Sequence, residues 1–192
     1  MRFDPTKTAL VVVDMQNGFA KPDGCLYDAS SNNAIDNISE LIELMREANA
    51  EIIFTRDIHP PEQFKQSYSY DESTRWGDYI VENSWDANIV DEFEIHDDDH
   101  IVDKYTYDAF NETGLEAFLS THGLTDLIFC GTQASICVLH TARSAALLDF
   151  RSVIVSDAVG YRSTKWRDFA LEHFSLAFGE TITRESVAFT QQ

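Results

Sequence analysis

Short apolar runs, each rich in β-branched residues and closed by a polar or charged residue, constrain this fold most. Thr8 to Val13 reads Thr-Ala-Leu-Val-Val-Val and shows no alternation of polar and apolar positions. A strand of this composition is buried on both faces, which is typical of a parallel sheet covered by helices. Further strands are predicted over residues 51–55, 100–102, 127–130, 152–156 and 180–183.

Helical periodicity fills most of the segments between these runs. Helices are predicted around residues 35–45, around 115–119, over Ala134 to Leu148, and in a last long helix where one face is lined by Trp166, Phe169, His173, Phe174 and Ala177. Residues 62–83 have a poor pattern and are predicted to form a long connection with short helical pieces. Strands that alternate with helices predict one α/β domain over residues 1–192. We expect three α/β/α layers around a central, mainly parallel six-stranded sheet of the Rossmann-like kind.

Chemically useful side chains follow the ends of these strands. The first strand ends at Asp14, the second leads to Asp57 and His59, the third delivers Lys104, and the fourth leads through a turn to Cys137. Ligands of parallel sheets bind outside the carboxyl ends of the strands, so we expect these groups to converge. A carboxylate can take the proton of a thiol nucleophile and return it to a leaving group. Spacing alone leaves Cys137 open as a buried structural thiol and Asp14 as a turn cap.

The turn before Cys137 is the most informative local pattern. Residues 127–138 read Leu-Ile-Phe-Cys-Gly-Thr-Gln-Ala-Ser-Ile-Cys-Val, so an apolar run ends in Gly131 and a cysteine follows where a helix is predicted to begin. Backbone N–H groups and the positive end of the helix dipole would then face the thiol. This arrangement predicts a lowered pKa for Cys137.

Three segments together resemble a known superfamily. They are Val-Val-Val-Asp14-Met-Gln-Asn-Gly-Phe19, His100-Ile-Val-Asp-Lys104-Tyr-Thr-Tyr-Asp-Ala-Phe110 and Cys130-Gly-Thr-Gln-Ala-Ser-Ile-Cys137-Val138, with Ser156-Asp-Ala-Val159 as a further element. They resemble the isochorismatase-like cysteine hydrolases, which include nicotinamidases and N-carbamoylsarcosine amidase. The similarity runs in order from about Thr8 to Thr183.

The resemblance implies a catalytic triad of Asp14, Lys104 and Cys137. Cys137 would attack an amide carbonyl and form a thioester, Asp14 would move the protons, and Lys104 would stabilise the thiolate. The resemblance also implies a non-proline cis peptide bond at Thr132–Gln133. The backbone N–H groups of Gln133 and Cys137 would then form an oxyanion hole.

The resemblance to nicotinamidases implies a divalent metal, zinc, at Asp57 and His59. At this site the sequence departs from the nicotinamidase pattern. Tyr79 occupies a position where nicotinamidases have a histidine ligand, and Gln63 occupies the position of an earlier histidine. Tyrosine is a poor zinc ligand beside neutral imidazole, and Asp78 is the alternative third ligand. We therefore favour a hydrogen-bonded turn at Asp57 and His59 that braces the pocket. The chemistry itself requires no cofactor.

Two aromatic residues match positions that flank the nicotinamide ring in nicotinamidases. Phe19 and Trp76 would sandwich a flat heteroaromatic amide, with a core role as the alternative for Phe19. Together these features predict hydrolysis of the C–N bond of a small amide, either nicotinamide-like or an N-carbamoyl compound. A vinyl-ether hydrolase is one alternative, although isochorismatases proper lack the nucleophilic cysteine. A non-catalytic binding protein of the same fold is the other.

Charge and cysteine content restrict the partners and the compartment. The formal net charge is -19, with 33 acidic against 14 basic residues, which disfavours binding to nucleic acid or to an anionic membrane. Few lysines and many aspartates predict a halophilic source, with an ordinary acidic enzyme as the alternative. Three cysteines make no disulfide framework, and the first residues lack the apolar segment of a signal peptide, so a cytoplasmic protein is predicted. The resemblance implies a homo-oligomer, a dimer or tetramer.

Overall fold

The structure, a computed structural model, describes residues 1–61 and 76–190. Gln63 and the first part of the connection predicted after the second strand lie outside these residues. Tyr79 and Asp78, at the end of that connection, lie within them.

A six-stranded sheet forms the centre of the molecule. Two short strands, β1 (Arg2–Phe3) and β8 (Ala188–Phe189), pair with each other outside it. The central strands are β2 (Thr8–Val13), β3 (Glu51–Asp57), β4 (His100–Lys104), β5 (Asp126–Gly131), β6 (Arg151–Val159) and β7 (Glu180–Ile182). All neighbours are parallel, in the order β4-β3-β2-β5-β6-β7. The predicted α/β fold with a mainly parallel sheet is confirmed.

Helices cover both faces of this sheet. They are α1 (Asn17–Ala20), α2 (Ala29–Asn33), α3 (Ile35–Ala48), α4 (Leu115–Thr121), α5 (Leu139–Leu147) and α6 (Thr164–Ala177). Leu10 and Val12 of β2 pack into one core with α3, whereas Ala9, Val11 and Val13 pack into the other with α4, α5 and α6. Every β2 side chain is therefore buried, which is why its sequence shows no alternation.

Two local predictions need correction. The helix predicted over Ala134 to Leu148 begins as a turn of π-helix at Ala134–Val138 and becomes α-helical only in α5. On α6 the sequence predicted one apolar face, but Phe174 is buried in the core with Ala170, while Trp166 and Phe169 are exposed.

None of the helices in the described ranges is long and apolar enough to cross a membrane.

Candidate active site

Asp14 is the first residue after β2, and its backbone is strained. Its φ angle is 50°, in the left-handed region that residues with a side chain seldom adopt. The side chain is fully buried, and Thr55 on the neighbouring strand donates its hydroxyl to Asp14 Oδ1 at 2.6 Å. The Asp14 N–H donates to the Thr55 carbonyl oxygen at 3.2 Å. These contacts hold the carboxylate at the carboxyl end of the sheet.

Lys104 ends β4 and reaches back across β3 to this carboxylate. Its side chain is fully buried, with Nζ 2.7 Å from Asp14 Oδ2, 3.9 Å from Asp57 Oδ1 and 2.9 Å from the Thr106 carbonyl oxygen. Burial by itself would lower the pKa of this amine, but the charges of Asp14 and Asp57 outweigh burial and raise it. Lys104 therefore remains an ammonium ion inside the protein.

Cys137 lies in the π-helical turn at the floor of a pocket, with only 6% of its surface exposed. Its Sγ and one carboxylate oxygen each from Asp14 and Asp57 all lie within 4.8 Å of one another. The structure thus brings together the three residues of the predicted triad, with Asp57 beside them. These residues come from four different segments of the chain.

The prediction of a lowered pKa for Cys137 was wrong. Burial raises the pKa of this thiol well above its ordinary value, Lys104 opposes the rise, and the charges of Asp14 and Asp57 add to it. Burial also raises the pKa of Asp14, with Lys104 opposing and Asp57 contributing. The two neighbouring groups, Asp14 and Cys137, therefore both hold a proton more tightly than they would in water. At neutral pH the sulphur rests as a thiol.

The turn from Gly131 to Gln133 passes close to β2. The peptide bond Thr132–Gln133 is cis, at the position that the resemblance implied. Gly131 has a φ of 107°, and a Cβ atom there would lie 2.1 Å from the Val13 carbonyl oxygen, so only glycine fits. Thr132 donates its N–H to that same oxygen at 2.8 Å. Within the described part of the chain, no group accepts a hydrogen bond from the Gln133 N–H.

The side chain of Gln133 clamps this turn to two other segments. Its Nε2 donates to Asp28 Oδ2 at 2.7 Å, and its Oε1 accepts the backbone N–H of Arg162 at 2.9 Å. Asp28 also caps α2 by accepting the N–H of Ser30. These contacts anchor the side-chain amide of Gln133 and leave its backbone N–H available to a ligand.

A pocket of about 410 Å³, including its open mouth, leads from solvent to Cys137. Its described walls are mostly apolar and aromatic and include Phe19, Leu26, Trp76, Tyr79, Tyr107 and Ile136. The predicted pocket residues Phe19 and Trp76 therefore both line it. Trp76 is fixed from two sides, because its Nε1 donates to Tyr107 Oη at 3.4 Å and the Arg162 guanidinium lies 5.1 Å from its ring centre.

Residues 8–186 match the sequence model of the isochorismatase domain. The chain belongs to the isochorismatase family. A cysteine hydrolase from Pseudomonas syringae pv. phaseolicola 1448A is similar to it, with a TM-score of 0.89 and 25% identity, over 96% of this chain and 92% of that one.

Two further relatives carry more specific names. The pyrazinamidase of Pyrococcus horikoshii, solved in complex with zinc, has a TM-score of 0.83 and 28% identity, over 92% of this chain and 99% of its own. The N-carbamoylsarcosine amidase of Thermoplasma acidophilum has a TM-score of 0.80 and 26% identity, over 94% of this chain and 98% of its own. These neighbours confirm the resemblance to the isochorismatase-like hydrolases and support the assignment of this chain as a hydrolase.

The zinc site implied for isochorismatase-family nicotinamidases does not fit the described residues well. His59 Nε2 lies 3.0 Å from Asp57 Oδ1, so two of the predicted ligands lie together and the fit depends on a third. Tyr79, which the resemblance aligns with a histidine ligand, is buried with its ring centre 4.6 Å from that of His59 and is a poor ligand for zinc. Asp78, the alternative ligand, is exposed. The positive charge beside Asp57 is that of Lys104, which also lies next to the cluster of Asp14, Asp57 and Cys137.

Sequence reasoning missed several residues that build this isochorismatase-family site. Gln16 holds Asp57 in place by accepting its N–H at 2.8 Å and donating to its carbonyl oxygen at 3.0 Å. Thr55 orients Asp14, and Arg162 lines the pocket beside Gln133. Ligands of parallel sheets bind outside the carboxyl ends of the strands, and Arg162 lies three residues beyond the end of β6. The same reasoning that found Asp14 and Lys104 would therefore have pointed to Arg162. The sequence signal for Gln16 is its place in the segment from Asp14 to Phe19 that carries the resemblance, and that signal does not tell what its amide holds.

Proposed function

We propose that this protein is a cysteine amidohydrolase that cleaves the C–N bond of a small amide through a thioester. The observation that carries the proposal is the buried cluster of Asp14, Lys104 and Cys137 at the floor of an aromatic pocket. A nucleophile, a base and a fixed positive charge are the groups that acyl transfer requires.

The first half of the reaction forms the thioester. As the Cys137 sulphur bonds to the amide carbon, its proton passes to Asp14. The carbonyl oxygen becomes an oxyanion that accepts hydrogen bonds from the backbone N–H groups of Gln133 and Cys137. The C–N bond then breaks, and Asp14 returns the proton to the departing nitrogen, which leaves as ammonia or an amine.

The second half consumes one water molecule. Asp14, again a carboxylate, takes a proton from the water as its oxygen attacks the thioester carbon. The C–S bond breaks, the proton returns to Cys137, and an acid is released. The raised pKa of Asp14 suits this work, because a base is most effective when its pKa lies nearer the operating pH. Lys104 keeps the cluster from accumulating negative charge in either half.

A thiol that rests protonated makes proton transfer part of the attack. The pKa of Cys137 is raised by burial and by the two carboxylates, so the nucleophile forms only as Asp14 takes the proton. This distinguishes the proposed mechanism from one that begins with a stable thiolate. Neither a vinyl-ether hydrolase nor a non-catalytic binding protein would need a cysteine placed beside a buried base.

The pocket also favours one class of amide. Arg162 and Asp57 are the charged residues among the described pocket lining, and Asp57 belongs to the buried cluster. The Arg162 guanidinium lies over Trp76 and donates to the Leu26 carbonyl oxygen at 3.1 Å, which holds it at the pocket. A guanidinium in this place would bind a carboxylate on the substrate. An N-carbamoyl amino acid therefore fits better than uncharged nicotinamide.

Ammonia release from nicotinamide, pyrazinamide and N-carbamoyl amino acids tests the reaction. We expect activity on members of this panel, lost in Cys137→Ala and retained in the control Cys25→Ser, which changes an exposed thiol outside the described pocket lining. Activity that survives Cys137→Ala would rule out the mechanism.

Arg162→Gln tests the substrate class. We expect KM for N-carbamoyl amino acids to rise at least about tenfold, because a charge-assisted pair is worth about 1.5–3 kcal/mol, while hydrolysis of uncharged amides stays the same. Arg167→Gln is the matched control, since Arg167 pairs with Asp168 and is not among the described pocket residues. An equal loss on charged and uncharged amides would contradict the role of Arg162.

A further inference from the structure

One short segment, residues 26–28, lies against the pocket, and the proposed mechanism gives it no task. The Leu26 N–H donates to the Gly18 carbonyl oxygen at 2.9 Å, and the Asp28 N–H donates to the Phe19 carbonyl oxygen at 2.9 Å. Leu26 and Phe19 both line the pocket. The Asp28 side chain therefore extends from a backbone that two hydrogen bonds fix to the pocket wall.

The half-buried carboxylate of Asp28 accepts a hydrogen bond at each of its oxygens. Oδ1 accepts the Ser30 N–H at 2.9 Å, which caps α2, and Oδ2 accepts from Gln133 Nε2 at 2.7 Å. A hydrogen bond to a carboxylate is stronger than one between two neutral groups. The second bond joins parts of the chain that are 105 residues apart. Asp28 is thus a long-range anchor for the turn that contains Gln133.

The Gln133 amide extends this anchor to Arg162. Its Oε1 accepts the Arg162 N–H at 2.9 Å, and Arg162 Nη2 donates to the Leu26 carbonyl oxygen at 3.1 Å. The contacts form a closed ring that begins and ends in residues 26–28. This ring contains both groups to which the proposed reaction assigns substrate binding, the N–H of Gln133 and the guanidinium of Arg162.

Helix α2 also anchors the residue before Gln133. The Ser31 and Thr132 hydroxyl oxygens lie 2.7 Å apart, and both residues are buried. The peptide bond between Thr132 and Gln133 is therefore held through both of its residues. The direction of the Gln133 N–H depends on Ser31 at one side and on Asp28 at the other.

We propose that Asp28 is a positioning residue of the reaction. Through Gln133 it directs the N–H that stabilises the oxyanion, and it holds Arg162 at the pocket. The inference rests on the proposed function, because the task that it assigns to Asp28 belongs to that reaction. Asp28 is not among the described residues that line the pocket, so it acts through Gln133 and not on the substrate.

Asp28→Asn separates this task from the capping of α2. Asparagine caps a helix as well as aspartate does, so its oxygen can keep the bond to the Ser30 N–H. Its second polar atom then carries an NH₂ group that meets the NH₂ group of Gln133, and two donors cannot bond. Because an oxyanion forms on every amide, kcat should fall at least about tenfold on charged and uncharged amides alike, since a misplaced group costs up to about 100-fold. KM for uncharged amides should stay the same.

Gln133→Glu supplies the reciprocal change. Alone, it places a carboxylate against that of Asp28 and should lower kcat in the same way. Combined with Asp28→Asn, it gives the asparagine NH₂ group an acceptor, while its other oxygen still accepts the Arg162 N–H. The double variant should therefore recover most of the lost kcat.

Alkylation of Cys137 by iodoacetamide, followed by mass spectrometry, distinguishes positioning from general disruption of the site. This reaction forms no oxyanion, so Asp28→Asn should leave its rate unchanged, whereas a loosened pocket would expose the thiol and raise the rate. Asp23→Asn is the matched control, because Asp23 is an exposed carboxylate five residues earlier in the chain. It should change neither alkylation nor kcat.

Three results would overturn the role of Asp28 while leaving the proposed function intact. They are an equal kcat for Asp28→Asn and the unchanged chain, a double variant no faster than the single variants, and a loss of kcat accompanied by faster alkylation of Cys137. If the unchanged chain released no ammonia from any amide of the panel, the proposed function would fail and the role of Asp28 would fail with it.

Discussion

Replacing Asp14 with asparagine should slow turnover and make Cys137 more reactive towards an alkylating agent. The substitution keeps the shape of the side chain but removes both the base and a negative charge. Loss of the base prevents proton transfer from the thiol during attack. Loss of the charge removes one of the causes that raise the pKa of Cys137 and frees Lys104 to act on the thiolate.

The size of each effect follows from the geometry. Loss of a positioned general base costs about 10²–10⁴ in kcat/KM. An anion within 4.8 Å of the sulphur disfavours the thiolate by about 3 kcal/mol at an effective dielectric constant of about 20. Removing it raises the thiolate fraction at neutral pH about a hundredfold. Because a less basic thiolate is also a weaker nucleophile, the net gain in alkylation rate is about tenfold.

The assay compares two rates on the same protein. Ammonia release measures turnover, and mass spectrometry measures iodoacetamide alkylation of Cys137 across a pH series, in a Cys25→Ser background. The alkylation profile of Asp14→Asn should move to lower pH. Thr55→Val is the control, because it removes the 2.6 Å hydrogen bond to Asp14 and keeps the carboxylate. Its alkylation should remain as slow as that of the unchanged chain.

Alkylation of Asp14→Asn at or below the rate of the unchanged chain, in a variant that remains folded, would refute the reasoning. The charge of Asp14 would then not govern the thiol. Unchanged ammonia release would refute the other half, since Asp14 would not be the base.

Four other outcomes follow from the same structure. Lys104→Met leaves two buried carboxylates without their ammonium ion. The free energy of unfolding, measured by urea denaturation at neutral pH, should fall by about 3–5 kcal/mol. This loss should shrink as the pH falls and Asp14 gains a proton. Gly131→Ala should greatly reduce the yield of folded protein, because its Cβ would lie 2.1 Å from the Val13 carbonyl oxygen. The control is Gly123→Ala, where the added Cβ meets open space, and it should lower the melting temperature only slightly. The melting temperature should rise from low to molar salt, because repulsion among 33 acidic residues is then screened, and an unchanged value would contradict a halophilic adaptation. Elemental analysis should find less than one metal ion per chain, and a chelator should leave ammonia release unaltered.

Much of the fold was predictable from the sequence. The run from Thr8 to Val13 is buried on both sides, and such a strand is apolar at nearly every position. The rule that sites lie at the carboxyl ends of parallel strands then placed Asp14, Lys104 and Cys137 together, and the structure does so. β1 and β8 were missed because two-residue strands have no periodicity to detect. The helical periodicity of α6 was visible, but periodicity alone does not tell which apolar residues face the core.

The sequence by itself determined which chemical groups meet at the sheet edge, because local patterns of burial mark where each strand ends and the carboxyl ends of parallel strands share one edge. Only the tertiary structure decided how those groups behave. The position of Cys137 at the predicted start of a helix led to the prediction of a lowered pKa, whereas burial and two carboxylates raise it. Asp14 and Asp57 are distant from Cys137 in the chain, and both lie within 4.8 Å of it in space. A pKa depends on solvent exposure and on distances to charges, and folding alone sets both.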